Sequence, residues 1–176
     1  MFLLYTISAK IDCEPERVST NFRESILTKI DEIYSGKVLK SEGVCITVYD
    51  MDILETLLKE GIFQAQVSMR MIIFKPFTGE VLTGKISNST AEGIEVDLIF
   101  CSAFIPAAFL NETSSFDELE GVFVWHYEEN DLFFDKGENL RFKVSAFFLP
   151  DEENNKIEIL GRANEDGLGL VQWWTT

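Results

Sequence analysis

Apolar residues at Val18, Phe22, Ile26, Ile30 and Tyr34 recur every fourth position, with Ile33 beside them. That spacing predicts one buried face of an amphipathic helix. Asp12-Cys13-Glu14-Pro15-Glu16 reads as its start, acidic with proline in the first turn, and Gly36 as a left-handed cap after its end. Before it, Phe2 to Ile11 reads as a first strand. After it, Gly43 to Tyr49 is a β-rich run and Asp52 to Leu58 reads as a short second helix, capped by Asp50 or Asp52 and broken by Gly61. Ala65 to Phe74 is a long strand with apolar residues on both faces in its second half. The first part is therefore expected to be strand–helix–strand–helix–strand, of mixed α+β type.

At Lys75-Pro76-Phe77-Thr78-Gly79 the pattern changes. Proline and glycine punctuate the chain there, and the remainder of the chain is patterned for strands alone. Glu80 to Ser87 is a strand, and Asn88 to Glu92 a polar turn. Gly93 to Phe100 comes next, with Ile94, Val96 and Leu98 alternating against Glu95, Asp97 and Ile99. Phe104 to Leu110 reads as a strand turning into a helical corner. Val122 to Tyr127, Leu140 to Phe148 and Ile157 to Gly161 are further strands, with Asp151 to Asn155 a charged turn. Short strands separated by turn signals suggest a small barrel or sandwich. The expected domains are residues 1–78 and 79–176.

Composition narrows the function. The 176 residues are 46% apolar, enough to fill a core, and the formal charge is −15, which repels nucleic acid except at a local basic patch. Cys13, Cys45 and Cys101 are scattered and odd in number, without the spacing of a zinc site or a disulfide framework. Cys45 reads as a small buried hydrophobe. This cysteine usage fits a reducing compartment, cytosol or nucleus. Neither a signal h-region nor a membrane-spanning stretch is expected.

The chemistry of catalysis is thin. His126 is the single histidine and sits between Trp125 and Tyr127, where it reads as structural. Gly79, Gly84 and Gly93 lack a phosphate-cradling spacing and read as turn or tight barrel positions. Gly167-Leu168-Gly169 lacks the third glycine of a dinucleotide fingerprint. No metal or cofactor site is expected, and no enzyme. Binding has more support: Lys85, Arg141 and Lys143 with Trp125 and Tyr127 put cations and aromatics on strands, the combination that single-strand nucleic-acid binders use. Trp173-Trp174 near the C-terminus demands cover, from a closing strand of the β-domain or from a partner.

The second half resembles an OB-type RNA-binding barrel: Glu80 to Ile86, then Glu92 to Val96, then Phe104-Ile105-Pro106 match that fold's first three strands in order. Phe74-Lys75-Pro76-Phe77-Thr78-Gly79-Glu80-Val81 is similar to the domain junction in the large stalk subunits of RNA polymerases, a family with archaeal and eukaryotic members. Met1-Phe2, the long helix, Gly43-Val44-Cys45-Ile46 and Tyr49-Asp50 resemble that family's tip domain. Val124 to Glu128, Leu132 to Glu138, and Gly167 to Leu170 through Trp173-Trp174-Thr175 look like the RNA polymerase III form. The resemblance implies an α+β fold, a mixed tip domain followed by an all-β, five-stranded OB-type barrel. It implies a non-catalytic nuclear subunit paired with a small helical stalk subunit and docked near the clamp of the RNA polymerase III core. The barrel would then be placed to meet nascent single-stranded RNA or initiation factors. Docking falls to Gly61, Ile62 and Phe63, and the partner or domain interface to Phe77, Trp173 and Trp174. The segment Lys59 to Gln64 is shorter than the glycine-rich tip loop of relatives. A stalk subunit of another RNA polymerase, or a free-standing OB-type RNA-binding protein, are the alternatives.

Overall fold

Every second residue of Ile62–Phe74 from Ala65 to Ile73 is buried, and this strand organises the first of two compact units, Met1–Lys75. The structure is a computed structural model that describes residues 1–14, 21–39, 42–149 and 157–174. Strands β1 (Phe2–Cys13), β2 (Val38–Leu39), β3 (Gly43–Lys59) and β4 (Ile62–Phe74) form an antiparallel sheet in the order β1-β4-β3-β2. Helix α1 (Phe22–Tyr34) joins β1 to β2 and lies on one face. Ile26 and Ile30 are fully buried in one core with Val67, Met69 and Met71, with Phe22 and Tyr34 packed against it. Each buried isoleucine contributes about 2 kcal/mol from its apolar area.

The four-residue stripe is therefore the buried face of α1 over Phe22 to Tyr34; Pro15 and Val18 lie outside the described residues. Asp12 and Cys13 do not open the helix. They continue β1, paired with Gln64 and Phe63. Gly36 has φ +72 and donates its N–H to the Cys45 carbonyl.

Asp52 to Leu58 is not a second helix. It is the outer half of β3, paired with β4 from Ser68 back to Phe63, and Glu60 and Gly61, both at positive φ, turn the chain between the strands. Paired strands satisfy the backbone of both segments at once, which an isolated helix of about two turns cannot match.

The second unit, Pro76–Thr176, contains the barrel. Its strands are β5 (Val81–Thr90), β6 (Gly93–Asp97), β7 (Ser102–Pro106), β11 (Asn139–Phe148) and β12 (Glu158–Arg162). They run β12-β7-β6-β5-β11, and β11 pairs again with β12, so the sheet closes on itself. The β7–β12 pair is parallel and the others are antiparallel. This is a five-stranded Greek-key closure of OB type. Ile86, Ile94, Val96, Ile105, Phe142, Val144 and Ile159 fill the interior. Gly84 is a tight barrel position: a Cβ there would lie 2.5 Å from the Asp97 carbonyl oxygen. β5 runs on to Thr90, into the expected polar turn. The charged turn Asp151 to Asn155 lies outside the described residues.

Three short strands between β7 and β11 form a separate sheet ordered β10-β9-β8: β8 (Ser114–Asp117), β9 (Val122–Tyr127) and β10 (Asn130–Phe133). Of these, β9 was legible in the sequence. Polar, four-residue β8 and β10 were not. The chain continues from β12 through β13 (Gly169–Leu170) into a 3-10 turn, Val171–Trp174. The tryptophans thus sit on a turn beyond a two-residue strand, not on a closing strand.

Candidate nucleic-acid interface

Strand pairing brings the three predicted cations to one outward face of the barrel. Lys85 stands opposite Asn139, Arg141 opposite Thr83, and Lys143 opposite Val81, on adjacent β5 and β11. Opposed residues of an antiparallel pair share a face. Arg162, which sequence reasoning missed, stands opposite Lys143 on β12. The signal lay only in topology, because β12 closes on β11.

These cations are partly engaged. Lys143 Nζ donates to Glu165 Oε2 at 2.8 Å, and Arg162 Nη2 lies 2.9 Å from the other oxygen of that carboxylate. Hydrogen bonding from Lys143, with Arg162 beside it, holds the Glu165 carboxyl below its ordinary range. Arg141 Nη1 donates to the Gly167 carbonyl at 3.4 Å. The patch has a net positive charge with one carboxylate bracing two of its cations.

The predicted aromatics lie elsewhere in the same unit. Trp125 and Tyr127 are on β9, their rings 4.9 Å apart. Trp173 packs 5.5 Å from Trp125 and edge-on to buried Phe134 at 4.8 Å. Trp173 also covers Gly169, whose φ is +100 and where a Cβ would meet the indole at 2.6 Å. Trp173 is therefore covered by its own unit. Trp174 is 43% exposed and donates Nε1–H to the Leu168 carbonyl at 2.9 Å. Phe77 is exposed, in a turn closed by Glu80 N–H donating to the Phe77 carbonyl.

His126 joins a hydrogen-bonded chain across all three short strands. Its Nε2 lies 2.8 Å from Ser115 Oγ and its Nδ1 2.6 Å from Asp131 Oδ1. A catalytic triad works with a buried carboxylate that fixes the imidazole. Here the Asp131 side chain is 61% exposed. Water competes for both ends, and the chain serves to tie β8, β9 and β10 together.

In the first unit, residues 54 through 62 are all exposed at the end of the β3–β4 hairpin, including Leu54, Leu57, Leu58 and Ile62. Gly61 and Ile62 are at the turn. Phe63 instead faces α1, edge-on to Phe22 at 5.8 Å. The leucines beside the predicted Gly61 and Ile62 were missed because that stretch read as a helix. Cys45 is fully buried, and burial, with Asp31 nearby, raises its thiol pKa.

Residues 80–156 match the family described as RNA polymerase III subunit Rpc25. Over 99% of its length the chain is 31% identical to the whole of DNA-directed RNA polymerase III subunit RPC8 of Saccharomyces cerevisiae. It is also 31% identical to the whole of that subunit from Bos taurus. DNA-directed RNA polymerase II subunit RPB7 of Saccharomyces cerevisiae is more distant, 23% identical over 97% of the chain. Fold and relatives together define a class: a non-catalytic stalk subunit of a DNA-directed RNA polymerase. Within that class the chain belongs to the RPC8 family of RNA polymerase III subunits.

Proposed function

We propose that the protein works in the nucleus, paired with a small helical stalk subunit, docks near the clamp of the RNA polymerase III core and supports transcription initiation. The first unit makes the docking contact, with Gly61, Ile62 and the leucines of the hairpin end as its apolar surface and Phe63 fixing the hairpin against α1. The observation that carries this reading is the full-length match to RPC8 subunits. Exposed apolar side chains concentrated on one hairpin end, Leu57 and Leu58 on its two faces, support the docking role, since exposed apolar surface marks contact sites. A stalk that binds two clamp positions with different affinity biases the clamp toward one of them.

The second unit meets nascent single-stranded RNA through Lys85, Arg141 and Lys143 on the barrel, joined by Arg162, with Trp125 or Tyr127 of the short sheet as stacking surface. Phe77 and the outward side of Trp174 contribute to a partner interface. Tagged purification from the native cell at moderate salt, with mass spectrometry of the recovered proteins, tests the assignment. RNA polymerase III subunits with a small helical partner are the expected result. Recovery of a solitary monomer that crosslinks to RNA would overturn it.

A further inference from the structure

An OB-type barrel offers oligonucleotides the outward face of its second and third strands. Here those strands are β6 and β7, and β12 extends the face. Register puts Glu95, Phe104 and Leu160 in one outward row, and Asp97, Ser102 and Glu158 in the next. A groove of about 420 Å3 runs over them, lined by Glu95, Ser102, Phe104, Glu158 and Leu160 among others. Half-buried Phe104 and Leu160 form its apolar floor, and Glu95, Asp97 and Glu158 are exposed around it. None of these six residues is basic. Lys85 borders the rows, opposite Asp97 on β5. Arg141, Lys143 and Arg162 belong to rows that cross β5, β11 and the far end of β12. The outward surface of the barrel is split by charge, and its oligonucleotide face is the acidic side.

A phosphate backbone laid in this groove meets Glu95 and Glu158 in its lining and Asp97 beside it, and the like charges repel. An extended polypeptide with cations on either side of an apolar side chain meets the opposite situation. We propose that this groove binds such a segment of a partner protein: a large apolar residue rests on Phe104 and Leu160, and lysine or arginine side chains to either side of it reach Glu95, across the same row, and Glu158, in the next. Same-face residues of an extended chain are roughly 7 Å apart. That is also the step between the two rows on β6 and β7, so alternate side chains of a segment running along the strands fall into successive rows. Charge complementarity selects this occupant over RNA. The RNA reading uses cations on β5, on β11 and at the far end of β12, none of them in the groove lining, so either can fail without the other.

The test uses the full chain and three fluorescent probes: a short peptide with one phenylalanine flanked by arginines, the same peptide with glutamates for arginines, and an oligouridine. The arginine peptide binds, the glutamate peptide does not, and added salt weakens the complex. Glu95→Lys with Glu158→Lys, shown to be folded by an unchanged melting curve, weakens binding about tenfold or more, as loss of paired interface charges implies. Amide shifts on titration fall at Glu95, Ser102, Phe104 and Leu160, and substitution of Arg141 and Lys143 leaves the affinity unchanged. Absence of peptide binding, affinity indifferent to the charge reversal, or the same amide shifts produced by oligouridine would each overturn the proposal.

Discussion

Gly169 and Trp173 work as a pair. The φ of +100 at Gly169 is open to glycine and costly for other residues, and the indole occupies the space that a Cβ would need. Gly169→Ala is expected to cost about 1–3 kcal/mol, as strained backbone positions do. It should release Trp173 from Trp125 and Phe134, which a lower melting temperature and a red-shifted tryptophan emission would report. Cys101 gives a second test at this scale. Burial, reinforced by Asp97, pushes its thiol up to about 12, above the ordinary value of 9.0. A raised thiol pKa stabilises the fold below the ordinary value, and that contribution is lost as pH climbs toward the folded one. At mildly alkaline pH, Cys101 should therefore resist alkylation in the native protein and react promptly once the protein is unfolded, as peptide mass mapping would show.

At the scale of elements, the β3–β4 hairpin is the piece that the sequence disguised. Register shifts at Cys45/Thr47, Val48/Asp50 and Ile53/Glu55 interrupt the two-residue alternation of β3. Each extra residue moves the subsequent side chains to the other face. Leu54, Leu57 and Leu58 consequently fall at the spacing of a helix turn while lying on a strand. Alternation was clean in β6, where Ile94 and Val96 are buried, and in Leu98 just beyond it, and that strand was legible. The cations of the candidate site were legible one by one. Their common face was not, because it depends on which strands pair, and Arg162 joins them only through closure of β12 on β11. Since Leu57 and Leu58 are more than half exposed, replacing both with glutamate should change stability by no more than about 0.5 kcal/mol each, as surface substitutions do. The same double substitution should abolish recovery of polymerase subunits in the tagged purification. Normal recovery would show that the hairpin end is not the docking surface.

The whole molecule carries its charge unevenly. From Asn111 to Glu138, nine carboxylates stand against Lys136 alone, so the short three-stranded sheet is strongly acidic while the β5–β11 face is not. Binding of single-stranded RNA at Lys85, Arg141 and Lys143 should weaken with salt at a slope of about 0.7 per phosphate contact, hence about 2 in all. Replacing the three with glutamine should flatten that slope in a fluorescence titration; an unchanged slope would place RNA elsewhere or nowhere. The two units also differ in when they become foldable during synthesis. All strands of the first lie within the opening 75 residues. β7, by contrast, must wait for β12, since Ser102 pairs with Glu158. At ribosomal speeds of about 5–20 residues per second, that wait lasts roughly 3–11 s. Throughout it, an unpaired strand edge is open to other nascent chains. The long stretch between the third and fifth barrel strands thus sets a window in which the growing polypeptide most needs a chaperone.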